Sequence, residues 1–432
     1  MMYESRSPSL NITLTQEGCN RFLDVTSTVS EEHIRVSYDF SPTELAEQRQ
    51  NLHNDLKVIQ DNLGVESEDE PLVNDWEIIS EAMEWLHERG QMLMYQIFGD
   101  PKTAMRVHEL CVKTCSGWRK TRTVVPRVEV AADVKDIVPV EFLPLLNPAL
   151  PSKIESKECL EEAASSFLGF STIVRHVIPN HKLTGKDVDI LENNPQLPIK
   201  FFHNAGLKGA AKEREFFEKH ECIDLDGPWP VKQFKLKEVI EKVSGHIWSP
   251  TQKLDGTARA VADQVLHFAC HCKSGTGTSE KYCLILAHKE GFDHEITIGK
   301  LQARFIDLEM RATRQADMTL PLVFLNACGS AQLNPAVMSS FPDLFAKNRN
   351  RGFIGTETLI PDNCAAVFSR EFYTYLMQGL PLAEAVHAAK WTLLRDYNNP
   401  LGILYTVYAN PDMRVRLSVL EPRRSISSSL SN

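Results

Sequence analysis

Apolar positions in the first hundred residues recur at helical spacing. Ser41-Pro42-Thr43-Glu44 supplies an N-cap, a proline at the first helical position and a capping-box glutamate. Leu45, Leu52, Leu56, Ile59 and Leu63 then mark one helical face, and Gly64 supplies a stop. The acidic run Glu66 to Glu70 reads as a loop. A second helix is predicted from near Asn74 through Ile78, Met83 and Leu86 towards Gly90, with Leu93 and Ile97 extending its stripe. Each helix needs another element on which to bury that stripe.

From Val124 the pattern shifts to short apolar runs broken by Pro and Asp. Val124 to Val130 and Phe170 to Ile178 are predicted strands, separated by a proline-rich turn region from Pro139 to Pro151. Leu197 to Phe202 opens the next unit, and a helix is expected through Ala210, Glu213, Phe216 and Phe217. Beyond about residue 230 strands and helices alternate, the signature of a largely parallel sheet covered on both faces. The predicted strands are 265–270, 282–287, 320–326, 353–355 and 403–408; the predicted helices are 301–311, 341–347, 364–377 and 382–394. The serine-rich tail Ser425 to Ser431 carries no such pattern.

Composition narrows the functional classes. A chain of 432 residues exceeds what one core usually fills, and 43% hydrophobic with 24% charged residues is the balance of a folded globular protein. The net charge of −10 runs against nucleic-acid binding, which calls for a basic face. No apolar run approaches the ~18 residues of a membrane helix and no signal-peptide core follows Met1, so a cytoplasmic protein is expected. The ten cysteines lack the dense spacing of a disulfide scaffold and read as reduced thiols, five of them between Cys270 and Cys364.

Two segments in that stretch place reactive groups at strand ends, where open α/β sheets gather their sites. The apolar run 265–270 leads into His271-Cys272, and the run 320–326 leads through Ala327 to Cys328-Gly329-Ser330. An imidazole beside a thiol can take its proton near neutral pH and leave a nucleophilic thiolate. Positions 271 and 328 stand 57 apart (328 − 271), close to the spacing of about 50 residues described for caspases. Asn326-Ala327-Cys328-Gly329 is a near variant of the caspase nucleophile signature.

The region 206–417 resembles the CHAT family of caspase-like proteases, relatives of caspases and separase. The resemblance rests on His267-Phe268-Ala269-Cys270-His271, on 322–328, on Gly352-Phe353-Ile354-Gly355-Thr356, on Phe372-Tyr373 with Leu376 and Gly379, and on Ala383 to Ala389. Ile137 to Leu143 similarly resembles the Pro-x-Glu-x-Leu element of that family. The resemblance implies an α/β, caspase-hemoglobinase-like fold: a mostly parallel central sheet flanked by helices, preceded by a smaller α/β half. The expected domains are N-terminal amphipathic helices (1–100), a small pseudo-caspase-like half (101–205), the caspase-like domain (206–417) and a tail (418–432).

It further implies peptide-bond hydrolysis through a thioester acyl-enzyme, with His271 and Cys328 on the dyad positions and no cofactor. The family's oxyanion hole uses the backbone N–H of the nucleophile and of a glycine after the histidine, which puts Cys328 and Cys272 in that role here. Cys272 departs from the glycine, but any residue except proline keeps the N–H. The implied partners are a specific protein substrate and a regulatory protein or effector, as in bacterial defence and cell-death systems, with neither nucleic acid nor membrane.

Other readings compete. The same fold could serve as a non-catalytic protein-binding scaffold. His267, Cys270, Cys272, Cys283 and His288 could ligate zinc, but alternation puts His267 and His271 on one face and Cys270 and Cys272 on the other, and no metal is expected. Glu357, Asp362 and Asp263 are the carboxylates near strand ends that could read a basic substrate side chain.

Overall fold

The structure is a computed structural model. It describes residues 7–38, 41–63, 70–115, 124–133, 138–149, 152–178, 190–191, 195–273, 282–311, 320–327, 340–358 and 360–416. Cys328 and the serine-rich tail lie outside the described residues.

The chain begins with strands rather than helices. β1 (Leu10–Glu17) and β2 (Asn20–Ser27) pair antiparallel around Gly18, whose φ of 63° suits glycine, and β3 (His33–Ser37) adds to β2. Leu10, Ile12, Leu23, Val25, Ile34 and Val36 alternate into the core, a period-2 signal that was present in the sequence beside the helical stripes. The helix Pro42–Asn62 has the expected capping box, with Leu52, Leu56, Ile59 and Leu63 buried along it and beyond its end. It packs on the helix Trp76–Phe98, which runs through Gly90 because the Phe142 carbonyl comes so close there that any Cβ would collide with it. A third helix, Pro101–Cys115, follows.

β4 (Arg127–Ala131) pairs parallel with β1 and with β5 (Ile173–Val177), giving a five-stranded sheet of order β3-β2-β1-β4-β5. Sheet membership therefore crosses the expected boundary at residue 100. Phe170, expected in a strand, lies in a short helix, Leu168–Ser171, whose Phe170 carbonyl accepts from His387 and Trp391.

β6 (Ile190–Leu191) makes a small parallel pair near the chain end, and β7 (Leu197–His203) opens the main sheet. The helix Lys208–Lys219 leads to β8 (Ile223–Trp229), and the helix Leu236–Trp248 to β9 (Val265–Ala269). β10 (His271–Lys273), β11 (Cys283–Ala287) and β12 (Asp293–Thr297) form a separate antiparallel sheet. Next come the helix Ile298–Arg311, β13 (Leu322–Asn326), the helix Phe341–Lys347, β14 (Gly352–Thr356), the helices Asp362–Met377 and Leu382–Tyr397, β15 (Tyr405–Ala409) and β16 (Arg414–Val415).

The main sheet has the order β15-β14-β13-β9-β7-β8, parallel throughout except for β15. Its central strands β9 and β13 are buried on both faces, as a doubly covered sheet requires. Val265, Leu322 and Phe324 face a core shared with Phe217, Phe372 and Leu382. Leu266, Phe268, Val323 and Leu325 face the opposite core, with Val239, Leu301 and Phe341. This is the α/β architecture expected, although β7 and its pairing with β9 cross the expected boundary at residue 205. Among the described residues no helix is long and apolar enough to cross a membrane.

Candidate active site

The register of the main sheet brings the candidate segments together at its carboxyl edge. β9 and β13 are parallel neighbours, with Phe268 opposite Leu325 and Ala269 opposite Asn326. On the other side β7 pairs with β9, and His203 stands opposite Ala269. A bend at Cys270 ends β9 one residue earlier than expected and turns the chain into β10, where His271 pairs with Ile285. Alternation nevertheless carries through: Cys270 and Cys272 are buried in the same core as Leu266 and Phe268, while His267 faces the opposite one. His271 is exposed.

Three histidines thus approach one edge, in different environments. His203 is buried, and that burial pushes its pKa down to about 4 against the opposing hydrogen bond to the Pro230 backbone, so it stays neutral near physiological pH. His267 is fully buried and both its ring nitrogens are occupied: Nε2 lies 2.6 Å from Glu213 Oε2, and Nδ1 lies 3.1 Å from the Tyr373 hydroxyl. Only His271 combines exposure with a position at the strand edge.

A carboxylate accompanies it. Asp362 begins the helix Asp362–Met377 and accepts the Gly209 N–H at 2.6 Å. Gly209 is required there, since a Cβ would collide with the Asp362 carboxylate and carbonyl. Burial raises the Asp362 pKa, the Gly209 N–H opposes that rise, the Glu213 charge adds to it and the His271 imidazole lowers it. Asp362 and His271 are therefore within electrostatic reach of one another. The other two candidate carboxylates are engaged elsewhere. Asp263 precedes β9 at the opposite, amino edge, sandwiched between Lys200 at 2.7 Å and Arg259 at 2.6 Å. Glu357 is buried and accepts from the Thr406 hydroxyl at 3.2 Å.

The approach to position 328 is tightly held. Asn326 is buried, and its Nδ2 donates to Glu213 Oε1 and to the Ala365 carbonyl, both at 3.0 Å. Its Oδ1 accepts from the Tyr405 hydroxyl at 2.6 Å. The Ala327 carbonyl accepts from the Thr356 hydroxyl at 2.8 Å. None of these partners was singled out from the sequence for that role; Glu213 read only as a helix position, because its function appears only when three strands and two helices are assembled.

Cys272 is buried in β10, opposite Leu284, so its side chain is committed to the core while its backbone remains in a strand next to His271. The sequence-based zinc set is not assembled: among the described residues no group of three or more His, Cys, Asp or Glu is placed to hold a metal ion. None of the described cysteines is in a disulfide.

Comparison with known proteins matches residues 244–422 to the CHAT domain family model. A curated relative, described as a probable protease of Vitiosangium sp. (strain GDMCC 1.1324), is 33% identical over 91 residues, which is 21% of this chain and 12% of that protein. Among solved structures, two crystal structures of the Saccharomyces cerevisiae separase–securin complex match with TM-scores of 0.43 and 0.41 and identities of 10% and 12%. Each covers 94% of this chain and 30% of the separase chain. This chain thus spans only a minor part of the length of the relatives it resembles.

Proposed function

We propose, from the match of residues 244–422 to the CHAT domain family model, that the protein is a caspase-like cysteine endopeptidase with His271 as base and Cys328 as nucleophile. The observation that carries the reading is the parallel register in which Ala269 faces Asn326, since each of these residues precedes a dyad member by two positions. In the proposed reaction His271 takes the Cys328 thiol proton, and the thiolate attacks the scissile carbonyl to give a thioester. The imidazolium then protonates the leaving amine, and water hydrolyses the thioester. The backbone N–H groups of Cys272 and Cys328 are proposed as the oxyanion donors. Asp362, close enough to His271 to feel its charge, favours the imidazolium that forms during attack.

The proposed substrate is a specific protein, cut under the control of an accessory protein or effector, in a bacterial defence or cell-death setting. Co-expression of wild type, Cys328→Ala and His271→Ala with candidate partner proteins tests the reading. Cleavage by wild type alone supports it; cleavage that persists in Cys328→Ala removes Cys328 as nucleophile. The alternative, a non-catalytic scaffold, is motivated by Cys272 standing where the resemblance leads one to expect glycine and by the acidic balance of the chain. An electrophilic peptide probe that labels Cys328, and fails to do so in His271→Ala, excludes that alternative.

A further inference from the structure

Beneath the strand ends lies a buried polar chain that the dyad does not itself require: Tyr373, His267, Glu213, Asn326 and Tyr405, each at most 4% exposed. Its members come from two helices and three strands of the main sheet. One arrangement gives every hydrogen an acceptor. The Tyr373 hydroxyl donates to His267 Nδ1, His267 Nε2–H donates to Glu213 Oε2, and Asn326 Nδ2–H donates to Glu213 Oε1. The second Asn326 Nδ2–H goes to the Ala365 carbonyl, and the Tyr405 hydroxyl donates to Asn326 Oδ1. With a doubly protonated His267 the Tyr373 hydrogen would lose its acceptor within the chain. Both oxygens of Glu213 therefore accept, which makes it the single anionic sink towards which the other members point.

The consequence falls on Asn326. All three of its amide positions are used, so neither its rotamer nor its flip state is free, and Ala327 behind it is pinned through Thr356. A stabilising role alone does not account for such a cluster, because buried ionic and polar groups are weak contributors to net stability while they fix geometry well. We propose that Asn326, oriented by Glu213, is a positioning residue that fixes the end of β13 from which Cys328 follows. This rests on the reading of Cys328 as nucleophile.

The test uses the full chain and iodoacetamide, with the alkylation rate of Cys328 followed by peptide-mapped mass spectrometry from pH 5 to 9. The exposed thiol of Cys19 is the internal comparator. Asn326→Asp turns the Nδ2 donor into an oxygen facing Glu213 and the Ala365 carbonyl. Relative to wild type its Cys328 should react at least tenfold slower at pH 8 and regain rate towards pH 5.5, where the two carboxyls can share a proton; among the described residues His267, Tyr373, Tyr405 and Asp362 are their titratable neighbours. Glu213→Gln/Asn326→Asp swaps amide and carboxylate, so the Gln amide donates to Asp while its oxygen still accepts from His267. This double variant should recover at least threefold of the lost rate at pH 8, which a purely structural lesion would not do.

An Asn326→Asp protein that reacts as fast as wild type, or a double variant no faster than the single, overturns the proposal. Should Asn326→Asp fail to fold, Thr356→Val removes the hydroxyl holding Ala327 at nearly constant volume. A Cys328 rate at least threefold lower supports positioning, and an unchanged rate overturns it. If wild-type Cys328 reacts no faster than Cys19, it is the nucleophile reading that fails instead.

Discussion

Ala269 and Asn326 are register partners across the parallel β9–β13 pair. Parallel strands advance together by about 3.3 Å per residue, so this pairing holds the ends of β9 and β13 level at the sheet edge. The two sides then diverge. The bend at Cys270 sends His271 into a small antiparallel sheet and leaves it exposed, whereas Asn326 and Ala327 are clamped by Glu213, Tyr405 and Thr356. The proposed base stands on a peripheral sheet and the proposed nucleophile follows a fixed strand end.

Two of the three histidines at this edge, His271 and His203, should separate cleanly in activity. His271→Gln is expected to lower kcat by about 100-fold or more, the usual contribution of a general base. His203 is buried and neutral beside the Pro230 backbone, and His203→Gln should leave kcat within about threefold of wild type. Steady-state cleavage of the identified partner protein measures both. A larger loss in His203→Gln than in His271→Gln would transfer the base role.

Asp362 predicts a pH signature. Burial holds its pKa above the ordinary carboxylate value, so it takes up a proton earlier than an exposed aspartate as pH falls, and the negative charge near His271 is then lost. The wild-type rate should accordingly drop on the acid side as Asp362 protonates, and Asp362→Asn should lack that component while being slower at neutral pH. Stability runs the other way. Because the folded pKa lies above the unfolded one, the folded state binds the extra proton, and wild type should gain stability relative to Asp362→Asn as pH falls towards 4. Parallel pH–rate and urea-midpoint series check both signs.

Cys272→Gly restores the residue that the family resemblance leads one to expect. It should leave kcat within about twofold, since the proposed oxyanion donor is the backbone N–H. It should also cost about 2 kcal/mol of stability, because a buried thiol leaves β10 and glycine weakens a strand. A several-fold rise in kcat would show that the cysteine side chain itself restrains the oxyanion site.

How much was legible in the sequence follows physical scale. The apolar runs 265–270 and 320–326 announced β9 and β13 to within two residues, because strands covered on both faces leave little room for polar positions. The helices expected at 341–347 and 382–394 start where the structure has them, and the second runs on to Tyr397. The β1–β2 hairpin was overlooked beside the stronger helical stripes downstream, although Leu10, Ile12 and Leu14 alternate. Ile403 reads as strand but lies in a single helical turn, Pro400–Leu404, that precedes β15. The network around Glu213 was not legible at all, since its partners His267 and Asn326 lie 54 and 113 positions away (267 − 213 and 326 − 213). Strand register and the packing of the helix Lys208–Lys219 bring them together.

Acid should unfold the protein through its buried histidines. His203 and His246 have pKa values pushed down to about 4 by burial, and burial also lowers that of His87, against an ordinary value of 6.5. Each takes up a proton more readily in the unfolded chain, so its neutral form contributes stability that is fully present above pH 6.5 and is lost as pH falls below it, for His203 and His246 down to about 4. For His203 and His246 the slope in that window approaches the one-proton limit of about 1.4 kcal/mol per pH unit each. His203→Gln keeps a side chain able to hydrogen-bond the Pro230 backbone but cannot titrate. Its urea midpoint should therefore fall less steeply than that of wild type between pH 6.5 and 4.5, with the two curves parallel above pH 7. Equal slopes in both proteins would show that His203 takes up its proton over the same pH range folded as unfolded, and the burial that holds it neutral at the sheet edge would have to be abandoned.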